Sequence, residues 1–248
     1  MANRNANGDG LDAVAGLRVA VTGGTSGLGL ALVRALDARG ARVAFCARTP
    51  PRVGEIAREL PRTRGIVADV SSKDAIHPLA MQIVAALDGL DVLVNNASAL
   101  GPVPLATLAD TECEELERAL ATNLVAPFRL TRALLGVLAA ATRERGVAIV
   151  VNVSSDAAIN PYANWGAYGA SKAALAHLTR IWQEELAGEG IRFINFDPGD
   201  MDTPLHALAV PDADPHSLRR PEDAARELVA LIDDALAISR SGAARALA

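Results

Sequence analysis

Short aliphatic runs alternate with longer amphipathic stretches along this chain, the pattern of strand–helix–strand units that build a parallel sheet. Apolar runs at residues 17–22 (LRVAVT), 42–47 (RVAFCA), 91–95 (DVLVN), 147–153 (VAIVVNV) and 191–196 (IRFINF), with a shorter one at 65–68, predict six strands. Helical periodicity predicts helices over residues 27–39, from the prolines at 50 and 51 onward, and over 73–87, 110–141 and 168–187. Strands that are almost continuously aliphatic imply a sheet covered by helices on both faces. The expected fold is therefore α/β, a doubly wound parallel sheet of six to seven strands. Right-handed crossovers then place ligands at the carboxyl ends of the strands, where strand order reverses. Pro127 falls inside the long fourth helix and should distort it, because proline removes an interior backbone donor.

No internal repeat or linker divides the 248 residues, so residues 17–248 are expected to form one domain behind a polar, flexible tail at 1–16. The formal charge of -5 argues against a nucleic-acid partner, which favours a basic patch. No apolar run is expected to span a bilayer, and the tail lacks the apolar centre of a signal peptide. Cys46 and Cys113 are far apart and without metal-ligand spacing, which suits free thiols in a reducing cytoplasm. Nor do the four histidines show metal spacing.

The first strand runs into TGGTSGLG, Thr22 to Gly29, and then into a helix. Gly23, Gly27 and Gly29 let the backbone turn sharply and approach a pyrophosphate, while the following helix offers unpaired N–H groups to it. Within this loop, which also holds Thr25, the Ser26 side chain and the Leu28 N–H are the candidate phosphate donors.

This loop resembles the cofactor loop of the short-chain dehydrogenase/reductase family in its single-domain form, and further motifs follow in that family's order. They are Asp69-Val70, NNAS at Asn95 to Ser98, Asn123, Ser155, Tyr168-x-x-x-Lys172, and Pro198-Gly199 with Thr203. The resemblance implies a Rossmann-like fold and a nicotinamide dinucleotide cofactor. It implies that Asp69 and the Val70 amide hold the adenine, and that Asn95 to Ala97 line the floor under the adenosine ribose. Pro198, Gly199 and Thr203 would orient the nicotinamide. Ser98 stands where the family usually has glycine, a change expected to cost little.

The end of the second strand should lie beside the adenosine ribose, where an acid would favour NAD(H). This chain has Ala47-Arg48-Thr49 there, and Arg48 can offer a planar fork of donors to a 2′-phosphate. NADP(H) over NAD(H) is the expectation. The glycine loop carries no second basic residue, so the preference is expected to be moderate.

Tyr168 and Lys172, four residues apart, share one helix face. A nearby ammonium favours the phenolate, and bringing a tyrosine to neutrality takes about 4 kcal/mol. The resemblance makes Tyr168 the general acid/base and gives Lys172 a further role at the nicotinamide ribose. Ser155, thirteen residues before Tyr168, matches the family serine that holds the substrate oxygen, with Ser154 as its rival. Asn123 resembles the asparagine whose distorted helix holds a water in the proton relay to lysine. The expected function is hydride transfer between NADP(H) and a small ketone, aldehyde or alcohol. The alternative is a non-catalytic NADP(H) sensor on the same fold, which retention of both Tyr168 and Lys172 disfavours.

The resemblance implies that substrate sits under residues 200–220, a proline-rich segment long enough to act as a lid. Leu100, Trp165 and Met201 are the candidate contacts in a mainly apolar pocket. The C-terminus lacks the glycine-rich turn that precedes the family's seventh strand. Residues 243–247 are left as a short edge strand or no strand at all. A homodimer through the two longest helices is expected, and a tetramer is doubtful.

Overall fold

The computed structural model describes residues 14–246. Six strands form one parallel sheet: β1 (Arg18–Thr22), β2 (Arg42–Ala47), β3 (Thr63–Val67), β4 (Val92–Asn95), β5 (Ala148–Val153) and β6 (Ile191–Phe196). Their order is β3-β2-β1-β4-β5-β6, and every neighbouring pair is parallel. The chain starts in the middle and winds out in both directions, so the order reverses between β1 and β4. This is the Rossmann-like arrangement expected from the pattern, and it opens a crevice at the carboxyl ends of β1 and β4.

Eight α-helices cover the sheet: α1 (Gly27–Ala38), α2 (Pro50–Glu59), α3 (Ile76–Leu87), α4 (Cys113–Leu120), α5 (Ala126–Arg145), α6 (Gly166–Leu186), α7 (Pro204–Ala209) and α8 (Pro221–Ala246). Alternate strand residues feed opposite faces. Val19 and Val21 pack with α1 and α8 on one side, while Ala20 packs with α3 and α5 on the other. Both layers are dry, which accounts for strands that are aliphatic at nearly every position.

Several expectations are corrected here. Packing begins at Val14, which is fully buried; residues 1–13 of the expected tail lie outside the described residues. Residues 243–246 belong to α8 rather than to an edge strand, leaving β6 at the sheet edge, and Leu247 lies outside the described residues. An Ala-rich C-terminal stretch favours helix over strand. The 33-residue stretch Cys113–Arg145 is also long and apolar enough by composition to qualify as a membrane span. It is a core helix, with Leu130, Leu134 and Leu138 fully packed. The distortion expected at Pro127 takes the form of one π-helical turn, Ala121–Val125, between α4 and α5. Pro127 has no N–H to give the Asn123 carbonyl, and the wider turn absorbs that loss.

Candidate active site

The carboxyl ends of β1, β2, β4, β5 and β6 open into one cleft of about 940 Å³. Its first wall is the glycine loop. Gly23 sits at φ +70° and donates its N–H to the Cys46 carbonyl at 2.9 Å, which turns the chain out of β1. Gly29 lies behind it, where a Cβ would stand 2.2 Å from the Gly23 carbonyl oxygen. Gly29 therefore allows α1 to pack against the loop and does not itself line the cleft. Ser26 is the N-cap of α1, yet its hydroxyl makes no capping bond. That hydroxyl and the unpaired N–H groups of the first turn are free for an anion. Thr25, Gly27 and Leu28 line the same wall.

The floor comes from the segment after β4. Asn96 donates its side-chain amide to the Thr22 and Gly23 carbonyls at 2.9 and 3.2 Å, and Thr22 Oγ1 accepts the N–H groups of Asn96 and Ala97. Asn95 does not reach the cleft. As the last residue of β4 it points into the core, donating to Asn152 Oδ1 at 2.8 Å and to Thr131 Oγ1 at 3.3 Å. Of the expected run Asn95 to Ala97, Asn96 and Ala97 line the cleft and Asn95 lies beneath them.

At the far end of the cleft, Arg48, Asp69 and Val70 come together as expected. Arg48 makes no ion pair among the described residues. Arg52, at the start of α2, lines the same end and pairs with Glu55 at 2.7 Å. It was invisible as a site residue because it follows the strand by a turn of helix instead of lying in the loop. Cys46 also borders the cleft, but burial pushes its thiol up to about 12, so it stays protonated.

Tyr168 and Lys172 lie on the inward face of α6, both buried, with the Lys172 Nζ 5.5 Å from the Tyr168 ring centre. Lys172 donates to the Val153 carbonyl at 2.7 Å. Burial lowers the lysine to about 8, opposed by the negative charge of Asp197. The tyrosine departs from expectation: burial raises its pKa, hydrogen bonds from Ser155 and Ser98 work in the opposite direction, and Asp197 and Asp156 add to the rise. In the protein alone the phenol form is therefore the stable one, and lysine does not offset burial. Ser155, which donates to Asp156 Oδ1 and accepts the Ala157 N–H, both at 3.2 Å, is the serine of the pair that acts on the phenol.

Asn123 is buried beside the cleft with its side chain fully committed. Its Nδ2 donates to the Ala99 carbonyl and to Ser171 Oγ, both at 2.8 Å, while Oδ1 accepts the Ala99 N–H at 2.8 Å. The side chain is thus a clasp between the loop after β4 and α6. Pro127 cannot give the Asn123 backbone carbonyl the usual α-helical donor.

The opposite wall is apolar. Leu100 packs with Tyr168, Trp165 and Leu205, and the Trp165 ring meets the Tyr168 ring edge-on at 5.6 Å. Met201, Pro198, Gly199 and Thr203 line the adjoining side, and Thr203 caps α7 by accepting the His206 N–H at 3.2 Å. The base of the 200–220 segment is tied by Arg219, whose N–H reaches the Asp200 carbonyl at 2.9 Å.

Comparisons with known proteins agree with this geometry. The family model described as short chain dehydrogenase matches residues 18–214. A short chain dehydrogenase of Pseudocercospora fijiensis is 36% identical over 194 residues, covering 75% of this chain and 60% of that protein. A 3-ketoacyl-(acyl-carrier-protein) reductase from Brucella melitensis, solved with NADH, superposes with a TM-score of 0.80 at 26% identity, over 87% of this chain and 90% of that one. An alcohol dehydrogenase from Thermococcus sibiricus, solved with 5-hydroxy-NADP, gives a TM-score of 0.78 at 25% identity, over 88% and 91%.

Proposed function

Because this chain belongs to the short-chain dehydrogenase/reductase family of oxidoreductases, we propose that it reduces a small or medium ketone or aldehyde to the alcohol, or runs the reverse, with NADP(H). The observation that carries this is the convergence of Tyr168, Ser155 and Lys172 on one point of a cleft whose other wall is a phosphate-binding glycine loop. The cofactor supplies or receives the hydride. Everything else falls to the chain's own residues.

Tyr168 gives its phenolic proton to the substrate oxygen in reduction and takes it back in oxidation. Ser155 holds that oxygen in line. Lys172, fixed by Val153, provides positive charge close to the phenol and a donor toward the cofactor ribose. The Asn123 carbonyl, freed by Pro127, orients water toward Lys172 so that the proton can be replenished. Leu100, Trp165 and Met201 exclude water around the reacting centre, and residues 200–220 close over it. Ser26 and the Leu28 N–H at the α1 N-terminus would hold the cofactor's phosphates. Asp69 and the Val70 amide would hold the adenine, and Pro198, Gly199 and Thr203 would orient the nicotinamide.

The preference for NADP(H) rests on Arg48 and Arg52, which line the cleft beyond β2, a strand whose end carries no acid. Two guanidinium groups make a 2′-phosphate site stronger than Arg48 alone. We also propose a homodimer through α5 and α6, whose Phe128 and Ile181 are exposed beside the stacked Trp182. The two free cysteines suit the cytoplasm.

The test is nicotinamide absorbance with NADPH and NADH in parallel against ketones and aldehydes of graded size. Turnover favouring NADPH on apolar carbonyls supports the proposal. Tight NADPH binding with no turnover on any carbonyl would replace it with a sensing role.

A further inference from the structure

Arg219 stands behind the cleft, yet its side chain and backbone both hold the stretch of chain that follows β6. Its Nη1 donates to the Pro198 carbonyl at 3.2 Å, and its Nη2 donates to Glu227 Oε2 at 2.5 Å. The Arg219 N–H donates to the Asp200 carbonyl and the Arg219 carbonyl accepts the Asp202 N–H, both at 2.9 Å. These two bonds set Met201 against Arg219 as a single parallel bridge. Pro198, Gly199, Asp200 and Met201 line the cleft, whereas Arg219 and Glu227 are not among its lining residues.

The clamp has a firm anchor. Glu227 projects from α8, whose Ala224, Ala225, Leu228 and Val229 are buried in the core layer that also holds α1. The ion pair itself is partly exposed, 33% at Arg219 and 54% at Glu227, so it adds little stability alone. Its effect is directional. It occupies one arm of a planar fork and leaves the other aimed at the Pro198 carbonyl. On the near side, Gly199 turns the chain at φ +71° and donates its N–H to Asp197 Oδ1 at 3.0 Å. The Pro198-Gly199 turn is thus held between a carboxylate before it and a guanidinium beyond it.

We propose that Arg219, aimed by Glu227, is a positioning residue for the nicotinamide half of the cofactor. It acts through the Pro198 carbonyl and, by way of the Met201 bridge, on the adjoining substrate wall. This rests on the reading of Pro198, Gly199 and Thr203 as the residues that orient the nicotinamide. Hydride transfer is steep in geometry: a misplacement of about 1 Å can cost about 100-fold in rate. The adenosine end is built from β1, β2 and α2, none of which the clamp touches, so its loss should be felt at one end of the cofactor only.

Arg219→Met keeps most of the side chain's length and removes the fork. NADPH and adenosine 2′,5′-bisphosphate, the cofactor half without nicotinamide, are titrated against it in parallel by calorimetry. NADPH affinity should fall by about tenfold, the worth of one hydrogen bond from a charged donor, while the half-cofactor binds as it does to the unchanged chain. Single-turnover hydride transfer at saturating NADPH should slow by about tenfold or more. Glu227→Ala, remote from the cleft, should move the same quantities in the same direction by less. Arg219→Lys, which restores the charge without the fork, should recover only part of the loss. Equal losses for NADPH and the half-cofactor would reduce Arg219 to a structural role and overturn the proposal. NADPH affinity and hydride transfer that match the unchanged chain would overturn it too. Its failure is distinct from failure of the cofactor assignment, which binding of NADPH against NADH by the unchanged chain reads independently.

Discussion

Lys172 donates to the Val153 carbonyl at 2.7 Å, pinning a buried ammonium to the last residue of β5. That bond fixes the charge close to Tyr168, at a cost in desolvation that lowers the lysine to about 8.

The cost is measurable as stability. Between pH 8 and 10.5 the unfolded chain still holds the Lys172 proton and the native protein does not, so folding gains stability as pH rises through this window. Lys172→Met removes the dependence. The wild-type unfolding free energy, minus that of the variant, should rise by up to about 3 kcal/mol across the window, read from urea titrations. Parallel curves would mean the lysine is not desolvated.

Arg48 and Arg52 separate cofactor choice from catalysis. Arg48→Asp should weaken NADPH binding by about 10- to 100-fold, the worth of charge-assisted hydrogen bonds, and leave NADH nearly unchanged. Arg52→Ala should do the same more weakly, since its guanidinium already pairs with Glu55. Fluorescence titration with both cofactors reads the difference. Equal losses for the two would remove the 2′-phosphate assignment.

Gly29→Ala should act differently. Its Cβ meets the Gly23 carbonyl and the Asn96 amide, both backing the glycine loop, with nowhere to relax. NADPH and NADH affinity should therefore fall together, by tenfold or more, with a lower melting temperature. A variant that binds both normally would show the loop to be looser than its packing implies.

Pro127→Ala gives the helix back an N–H opposite the Asn123 carbonyl. The π-helical turn should tighten, stability should hold or rise, and kcat should drop by about tenfold or more if that carbonyl orients the relay water. Unchanged kcat with a more stable protein would remove Asn123 from the proton path.

Much of this was legible in the sequence, for physical reasons. Both faces of the sheet are dry, so the strands appear as aliphatic runs and the glycine loop can be placed at the end of the first. Tyr168 and Lys172 share a face by helical geometry alone. The division of labour between Asn95 and Asn96 was not legible. It depends on where β4 stops, and one residue decides whether an amide points into the core or the cleft. Arg52 was hidden because its position depends on how α2 folds back over the adenosine end. The upward shift of Tyr168 was missed because adding nearby charges leaves out the cost of burial.

The central claim is that Tyr168 moves the proton. The direct test is single-turnover carbonyl reduction with Tyr168→Phe, preloaded with NADPH, on the best substrate found. The account predicts NADPH affinity like the wild type and a hydride-transfer rate lower by about 10²- to 10⁴-fold, the usual worth of a general acid. A rate near that of the wild type would contradict it and return the chemistry to another group in the cleft.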